Sequence, residues 1–311
     1  TTCGWMMWNW MASALALGTT IVCYSDSPFH PEKHHIWDMI DQYNISVFGT
    51  SAAFLAVSEK KKVKPAESHK LGSLKAILST GSALSDASFD YVYRDIKKDV
   101  LLSSISGGTD IVSCFALGNP LLPVVKGELQ CLGLGMAVEC WDESGSPVVN
   151  QTGELVCTKA FPSMPIGFWN DANKEKYLNS YFENGSKVWV HGDYCMVSEA
   201  GGVRMLGRSD TTLNPNGIRI GTAEIYAVVE KMPEIKDSIC CSLKTEKGEK
   251  IYLWVVLSDN DKTLDNDLKK EIRQQLTLQC SQAHAPYRIN AVSEVPYTRS
   301  GKKVEKIIKQ K

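Results

Sequence analysis

The sequence lacks an excess of charge of either sign. Its 311 residues include 34 lysines and arginines and 35 aspartates and glutamates, which gives a net charge of −1. Without a positive excess, the chain offers no electrostatic basis for binding nucleic acid or an anionic membrane surface. We therefore expect neither partner.

A hydrophobic run long enough to cross a membrane is also missing. The apolar run 11–23 is interrupted by Gly18, and it is shorter than the ~18 residues that a spanning helix needs. It predicts a buried helix followed by a strand at 20–24. No secretory leader is visible, and the first residue is Thr1 rather than Met. We interpret the chain as a fragment that begins inside an element already in progress.

The ten cysteines lack the paired spacing of a disulfide or zinc framework. Their scatter predicts reduced thiols in a cytosolic protein. His30 and His34 have the spacing of zinc ligands on one face of a helix, but Pro31 disfavours a helix through His30. No metal site is expected there.

The pattern of apolar residues changes along the chain. In 1–120, strands predicted at 45–48, 74–78 and 100–105 alternate with helices predicted at 5–17, 32–42, 51–59 and 86–98. This alternation is typical of parallel βαβ units, which predicts an α/β fold. The stretch 124–209 has short alternating runs, including 127–131 and a hairpin at 188–206, and is predicted to be mostly antiparallel β. The stretch 210–311 predicts a small α+β domain that ends in a helix at 304–309.

Two turns of small or polar residues follow predicted strands. Gly81-Ser82-Ala83 could let a flat ring lie against the backbone. Ser106-Gly107-Gly108-Thr109-Asp110 combines two glycines, a hydroxyl and a carboxylate, which suit a phosphate and a hard cation such as Mg²⁺. Taken alone, each stretch is more often a plain turn: a tight turn at 81–83, and a β-to-helix turn with Asp capping at 106–110.

Further candidates come from the second half of the chain. Asp193 follows a glycine at a strand end and could accept hydrogen bonds from vicinal hydroxyls. Arg208 and Arg219 stand among turn glycines and could bind phosphate. Lys302 lies on a polar glycine loop before the last predicted helix, although the spacing is not that of a Walker loop. Surface side chains and a solvated basic end are the alternatives.

The order of these motifs resembles that of the acyl-adenylate-forming enzymes, which include acyl-CoA synthetases, peptide-synthetase adenylation domains and luciferases. The motifs are Ser-Gly-Gly-Thr-Asp at 106–110, His-Gly-Asp at 191–193, Gly-Arg-Ser-Asp at 207–210, Gly-Ile-Arg at 217–219 and Thr-Arg-Ser-Gly-Lys at 298–302. Within the family, the first motif and the opening Gly4–Trp10 are most similar to members that activate acetoacetate. The phosphate loop that precedes this region in the family is absent.

The resemblance implies a fold and a reaction. Residues 1–209 would be the later part of a large adenylate-forming domain, with a parallel βαβ sheet and a small antiparallel subdomain, and 210–311 would be a small α+β domain hinged at Asp210. The chain would be an ATP-dependent, AMP-forming acid–CoA ligase that uses Mg²⁺ and acts as a monomer. Two alternatives remain open. The substrate could be another short acid (propionate, butyrate or acetate), or the chain could be a catalytically incomplete fragment that binds only nucleotide, CoA or a partner.

The resemblance also implies roles for individual residues. The nucleotide would be bound by Gly81, Ser82, Ala83, Ser106, Gly107, Gly108, Thr109, Asp193, Arg208 and Lys302. Thr109 would contact the α-phosphate, Asp110 would bind Mg²⁺, and Lys302 would bridge carboxylate and phosphate during adenylation. Gly217 and Arg219 would serve the thioester-forming state with CoA.

The acyl pocket is predicted to be enlarged at Gly107. Members that use acetate carry a bulky Trp pair at the positions of Ser106 and Gly107. Loss of the indole would favour a longer acid such as acetoacetate, and Gly107→Trp should then suppress acetoacetate use relative to acetate.

Overall fold

The structure is a computed structural model that describes residues 1, 3–182, 186–215, 218, 220–245, 248–259, 263–298, 302–305 and 308. Contacts among these residues divide the chain into two compact units. The first comprises Thr1–His191 and Met196–Met205, and the second comprises Gly192–Cys195 and Leu206–Lys311. The chain thus passes from one unit to the other after residues 191, 195 and 205.

A three-stranded parallel sheet lies in the first unit, as the alternation of elements predicts. Its strands, in spatial order, are β1 (Val47–Ser51), β2 (Ala76–Thr80) and β3 (Leu101–Ser104). Ala76 pairs with Val47 on one side and with Leu101 on the other, both in parallel register. Parallel strands need crossover connections, and helices provide them here. The carboxyl ends of β2 and β3 therefore lie side by side.

Helices precede and connect the strands of this sheet. They are α1 (Met6–Ala14), α2 (His35–Gln42), α3 (Ala52–Lys60), α4 (Pro65–Ser68) and α5 (Asp86–Tyr91). The core joins Trp37, Leu55 and Val92 to Ile77 and Leu102 of the sheet, all of them fully or almost fully buried. Burial of such side chains contributes about 1.5–3 kcal/mol each.

Side-chain caps fix the starts of two of these helices. The Ser51 hydroxyl accepts from the Phe54 amide at 3.1 Å, and Ser85 caps α5 in the same way. Beyond Tyr91 the chain continues as a π-helical turn over Val92–Ile96. Val92 and Ile96 of this turn are buried together with Phe89 of α5, so the turn packs against the core as the helix before it does.

Antiparallel strands form two further sheets, one of which begins before the stretch 124–209. One has the order β4-β5-β6, with β4 at Ser106–Gly108, β5 at Ser113–Leu117 and β6 at Cys131–Leu132. The other has the order β10-β9-β8-β7, with β7 at Val138–Trp141, β8 at Thr152–Cys157, β9 at Trp189–Val197 and β10 at Val203–Arg208. Helix α6 (Glu175–Tyr181) precedes β9.

The second unit is a compact α+β structure. Its elements are α7 (Thr222–Val229), β11 (Ile235–Thr245), β12 (Gly248–Leu257), α8 (Asn266–Gln279) and β13 (Arg288–Ala291). Strand β12 pairs antiparallel with β11 and parallel with β13. Ile225 of α7 and Ile272 of α8 pack with Leu253 of β12 in one core, and all three are fully buried.

Four predictions from sequence are corrected or limited. The first helix is not a buried one, because α1 exposes half of Trp10 and the following turn exposes Leu17. The run 20–24 forms no strand, since no described residue pairs with it in a ladder, and the run 127–131 is strand only at its end. Of the helix predicted at 304–309, residues 306, 307 and 309 lie outside the described residues. No helix in the described part of the chain is long and apolar enough to cross a membrane.

Candidate functional site

The predicted turns of the first unit lie together at the carboxyl edge of the parallel sheet. The Ile105 amide donates to the Ser79 carbonyl at 2.9 Å, and the Thr80 hydroxyl donates to the Ile105 carbonyl at 3.1 Å. These bonds hold the turn after β2 beside the turn after β3. In open α/β sheets, ligands bind outside the carboxyl ends of the strands.

The N-terminal segment reaches the same edge. The Trp5 ring lies 3.6 Å from the place where a Cβ on Gly81 would stand, and the Thr109 hydroxyl is 3.4 Å from the Gly4 carbonyl. Gly81 itself has φ +94°, a value that favours glycine. Gly81, Ser82 and Ala83 are all exposed, so a flat ring at this turn would meet small side chains and, beside Gly81, the Trp5 ring.

Gly107 is held against the neighbouring strand. It pairs with Cys114 of β5, and a Cβ at Gly107 would lie 2.1 Å from the Ser113 carbonyl oxygen. The position therefore excludes any side chain, which changes the test suggested by the sequence. Gly107→Trp would displace the backbone of β5, so the variant reports on folding as well as on an acyl pocket. Burial raises the pKa of the adjacent Cys114 thiol to about 11, so this thiol is neutral at physiological pH.

Gly108 makes room for the carboxylate of Asp110. A Cβ at Gly108 would stand 2.0 Å from Asp110 Oδ1 and 3.2 Å from the buried His191 ring. The other carboxylate oxygen, Oδ2, accepts a 2.5 Å hydrogen bond from the Tyr181 hydroxyl. The Tyr181 phenol thus holds one oxygen of the Asp110 carboxylate, and the missing side chain of Gly108 leaves room for the other.

Aromatic rings support this phenol. Tyr181 stacks on Trp189 with ring centroids 3.7 Å apart and an interplanar angle of 12°. The Trp189 indole donates to His191 Nδ1 at 3.4 Å, and Phe115 meets the His191 ring edge-on at 4.8 Å. Stacking of this kind contributes about 0.5–1.5 kcal/mol per pair beyond simple burial. The rings fix the orientation of Tyr181 and, through it, of Asp110.

The carboxylate of Asp110 fits the donor chemistry of Mg²⁺. Mg²⁺ in nucleotide sites takes one or two carboxylates and fills its remaining positions with phosphate oxygens and water. Asp110 can offer Oδ1 without breaking its bond to Tyr181. No group of three or more His, Cys, Asp or Glu side chains that could hold a metal on protein ligands alone is found among the described residues.

A second group of predicted residues lies in the second unit. Arg208 Nη1 is 3.2 Å from Asp193 Oδ1, and Arg208 Nε is 3.7 Å from Asp210 Oδ1. The Asp193 side chain is only 14% exposed, whereas that of Arg208 is 50% exposed. Gly192 has φ +79°, and a Cβ there would stand 2.5 Å from the Arg208 guanidinium. The arrangement presents an oriented carboxylate beside a cation, which suits hydroxyls next to a phosphate.

Lys302 also lies in this unit, and its backbone makes two hydrogen bonds with Thr298. The Thr298 amide donates to the Lys302 carbonyl at 2.8 Å, and the Lys302 amide donates to the Thr298 hydroxyl at 3.0 Å. The Lys302 residue is exposed. Two other predicted residues, Gly217 and Arg219, lie outside the described residues.

Several neighbours of the candidate residues were not assigned a role from sequence. Trp5, Tyr181 and His191 contact the predicted turns, yet Tyr181 is 71 positions away from its partner Asp110. The aromatic richness of 161–191 was the available signal, but it does not say which ring meets which carboxylate.

Comparison with known proteins places the chain in a family. The family described as "AMP-binding enzyme" matches residues 2–164, and the "AMP-binding enzyme C-terminal domain" matches residues 224–302. The chain belongs to the AMP-binding enzyme family. The resemblance found in the motif order is thereby confirmed. The limits of the two domains and the hinge at Asp210 stay predictions.

Two relatives from distant organisms are acetoacetyl-CoA synthetases. The chain is 49% identical over 312 residues to an acetoacetyl-CoA synthetase of Gallus gallus, covering 100% of this chain and 47% of the relative. It is 49% identical over 305 residues to an acetoacetyl-coenzyme A synthetase of Rhizobium meliloti (strain 1021), covering 98% of this chain and 47% of the relative. The chain therefore spans about half the length of the curated relatives it matches.

Solved structures of AMP-binding enzymes support the same fold. An acetoacetyl-CoA synthetase from Streptomyces lividans matches with a TM-score of 0.92 and 39% identity, covering 100% of this chain and 47% of the other. The anthranilate CoA ligase AuaEII matches with a TM-score of 0.74 at 19% identity, covering 94% and 54%. The predicted α/β class, with a parallel sheet, antiparallel sheets and a small α+β part, is confirmed.

Proposed function

We propose that the chain is part of an ATP-dependent, AMP-forming acid–CoA ligase whose preferred acid is acetoacetate. The observation that carries this proposal is identity of 49–50% over the whole chain to acetoacetyl-CoA synthetases of Gallus gallus and Mus musculus. The match to the Streptomyces lividans structure supports it. The substrates are acetoacetate, ATP and CoA, and the compartment is the cytosol.

In the first unit, the chain would bind the nucleotide at the carboxyl edge of the parallel sheet. Gly81, Ser82 and Ala83 would lie against the adenine, and their exposure and small size support this role. Ser106, Gly107 and Gly108 would bring the backbone close to the nucleotide, with Gly107 at the acyl pocket. Thr109 would donate its hydroxyl to the α-phosphate.

Mg²⁺ would offset the repulsion between an anionic acid and an anionic phosphate. Asp110 would hold this ion, and its bond to Tyr181 supports that role because it leaves Oδ1 available. The Tyr181 phenol would keep the carboxylate turned toward the phosphates.

In the second unit, Asp193 would accept hydrogen bonds from the ribose hydroxyls, with Arg208 orienting it at 3.2 Å. Lys302 would bring a positive charge to the attacking carboxylate and the α-phosphate and stabilise the charge that develops between them. The acid oxygen attacks the α-phosphorus, pyrophosphate leaves, and the CoA thiol then attacks the acyl carbon and releases AMP. Gly217 and Arg219 would serve this second half-reaction, and Asp210 would be the hinge between the two states.

The test is acid-dependent exchange between ATP and pyrophosphate on the purified chain, with acetoacetate, acetate and butyrate compared. We expect exchange to be fastest with acetoacetate. Lys302→Ala should reduce it by roughly 100-fold or more, because a preorganised charge at the transition state is removed. Lys236→Ala, at an exposed lysine of the same unit, is the matched control and should leave the rate unchanged. A preference for butyrate or acetate would move the assignment to another short acid.

A second candidate follows from the share of the relatives that is covered. Because the chain spans about half their length, it could bind a nucleotide or CoA, or a partner protein, without catalysing the reaction. Isothermal calorimetry with ATP and CoA separates the two: binding without exchange for any acid would support this candidate and contradict catalysis by this chain.

A further inference from the structure

A buried charge cluster lies next to Lys302 in the second unit. The Lys303 side chain is 16% exposed, and its ammonium contacts the carboxylates of Glu230 and Asp237, the latter at 2.8 Å. It also donates to the Ser238 carbonyl. All three hydrogens of an ammonium group therefore have a protein acceptor.

The same ammonium lies over an aromatic ring. Lys303 Nζ is 4.2 Å from the centroid of the Tyr226 ring, a distance at which a cation is attracted to the π face. Burial by itself would lower the pKa of Lys303, but the carboxylates of Glu230 and Asp237 outweigh it, so the pKa is raised. Lys303 is therefore positively charged at physiological pH, and its surroundings consist of groups that attract a cation.

This site is anchored to the main elements of the unit. Glu230 follows α7 and also accepts from the Ser238 hydroxyl and amide, at 2.8 and 3.1 Å. Asp237 of β11 accepts from the Tyr297 hydroxyl at 2.7 Å. Removing Lys303 would leave two neighbouring carboxylates without their counter-ion, and an uncompensated buried charge is strongly unfavourable.

The cluster is connected to the turn that carries Lys302. Tyr297 and Lys303 form an antiparallel bridge across the turn, and the Val304 amide donates to the Pro296 carbonyl at 3.1 Å. Lys302 is thus the residue immediately before the anchored position, and its own amide and carbonyl both bond to Thr298. A side chain on a turn is placed precisely only when the backbone on which it stands is held.

We propose that Lys303 is a positioning residue, whose buried ammonium, bound by Glu230, Asp237 and the Ser238 carbonyl, holds the backbone at Thr298 and Lys302, the described residues of this turn, and so sets where Lys302 stands. The consequence for catalysis rests on the proposed function, because it takes Lys302 as the adenylation lysine. The fixing of the turn does not depend on that role.

The experiment compares Lys303→Met with Lys236→Met in the full chain. Met keeps the length of the side chain and removes the charge, and Lys236 is an exposed lysine on the same strand as Asp237. Amide hydrogen exchange is measured on peptides that cover 296–304. We expect Lys303→Met to speed exchange of the Thr298, Lys302 and Val304 amides by roughly ten-fold or more, while Lys236→Met leaves them unchanged.

A second variant addresses general unfolding. Lys303→Met/Asp237→Asn removes one of the two carboxylates left without a partner, so the unit should fold while the anchor is still absent. Fast exchange confined to 296–304 in this variant supports the proposal. Unchanged exchange at 296–304 in both variants would overturn it, and so would equal acceleration throughout α7, β11 and β12, since that result would mean only a stabilising role.

The activity measurement separates the two proposals. ATP–pyrophosphate exchange should fall at least ten-fold in Lys303→Met, and thioester formation from supplied acetoacetyl-adenylate should change less than two-fold. If Lys302→Ala abolishes exchange but Lys303→Met does not reduce it, positioning is wrong and the proposed function stands. If Lys302→Ala is fully active, the adenylation role proposed for Lys302 is wrong, and the amide exchange result alone decides whether Lys303 holds the backbone on either side of Lys302.

Discussion

At the scale of single residues, the candidate nucleotide edge depends on positions where a side chain is missing. Gly107 faces the backbone of β5, and Gly108 faces the carboxylate of Asp110. The two contacts differ in kind. A Cβ at Gly107 would meet a strand backbone, which cannot move aside, whereas a Cβ at Gly108 would meet the end of a side chain, which can. Gly107 is thus required for the fold, and Gly108 for the placement of Asp110.

We expect Gly107→Ala to destabilise the first unit by about 2–3 kcal/mol or more, because the new Cβ would lie 2.1 Å from the Ser113 carbonyl oxygen and overpacking of this kind has that cost. Gly72→Ala is the matched control, since a Cβ at Gly72 meets no atom within 4 Å. Urea unfolding followed by tryptophan fluorescence measures both. Similar midpoints for the two variants would contradict the packing seen at Gly107.

The sequence could suggest these residues only in part. The small size of Gly81, Gly107 and Gly108 and the carboxylates of Asp110 and Asp193 are visible in their local patterns. The partners are not visible, because Tyr181, His191 and Arg208 approach through tertiary packing that no local spacing encodes. Gly107 is the instructive case: the sequence suggested an acyl pocket enlarged at this position, but it could not show that the backbone of β5 lies against it.

At the scale of elements, local rules explain most of the helices and strands. The helices predicted at 51–59 and 86–98 correspond to α3 and α5, and the small α+β part predicted for 210–311 contains α7 and α8 beside the antiparallel pair β11 and β12. The prediction of a strand at 20–24 was wrong because β propensity expresses how well a residue fits a paired, half-buried surface. That run has no such surface among the described residues.

Helix α8 offers a direct test of a local rule. The Asp265 carboxylate accepts from the Leu268 amide at 2.8 Å at the start of this helix. Asp265→Ala should lower the stability of the second unit by about 1 kcal/mol, the typical loss for an N-cap. Lys270→Ala, at an exposed position inside the same helix, should change it by less than about 0.5 kcal/mol. Thermal unfolding followed by circular dichroism compares the two, and equal shifts would exclude a capping role.

At the scale of the whole molecule, each unit has a hydrophobic core of its own. Leu55 belongs to the core of the first unit and Ile225 to that of the second, and both side chains are fully buried. The two family matches, at 2–164 and 224–302, fall on different units. A cavity made in one core should therefore destabilise mainly the unit to which that core belongs.

We expect Leu55→Ala and Ile225→Ala each to cost about 2–5 kcal/mol, because each leaves a cavity in a packed core. Hydrogen exchange should locate the two effects differently. Leu55→Ala should speed exchange in β1 and β2, and Ile225→Ala should speed it in β11 and β12. Each variant is the control for the other, and acceleration of all four strands by either one would contradict separate cores.

The path of the chain has a consequence for how such a molecule can be divided. Because residues 192–195 belong to the second unit while 196–205 return to the first, no single cut in the polypeptide yields two intact pieces. A gene fusion that joins 1–205 of this chain to the end of a relative would combine one unit with a four-residue remnant of another. Recombination with a relative therefore keeps each unit from a single parent only if crossovers fall after residues 191, 195 and 205 together, so the two units are inherited intact more readily as a pair than one at a time.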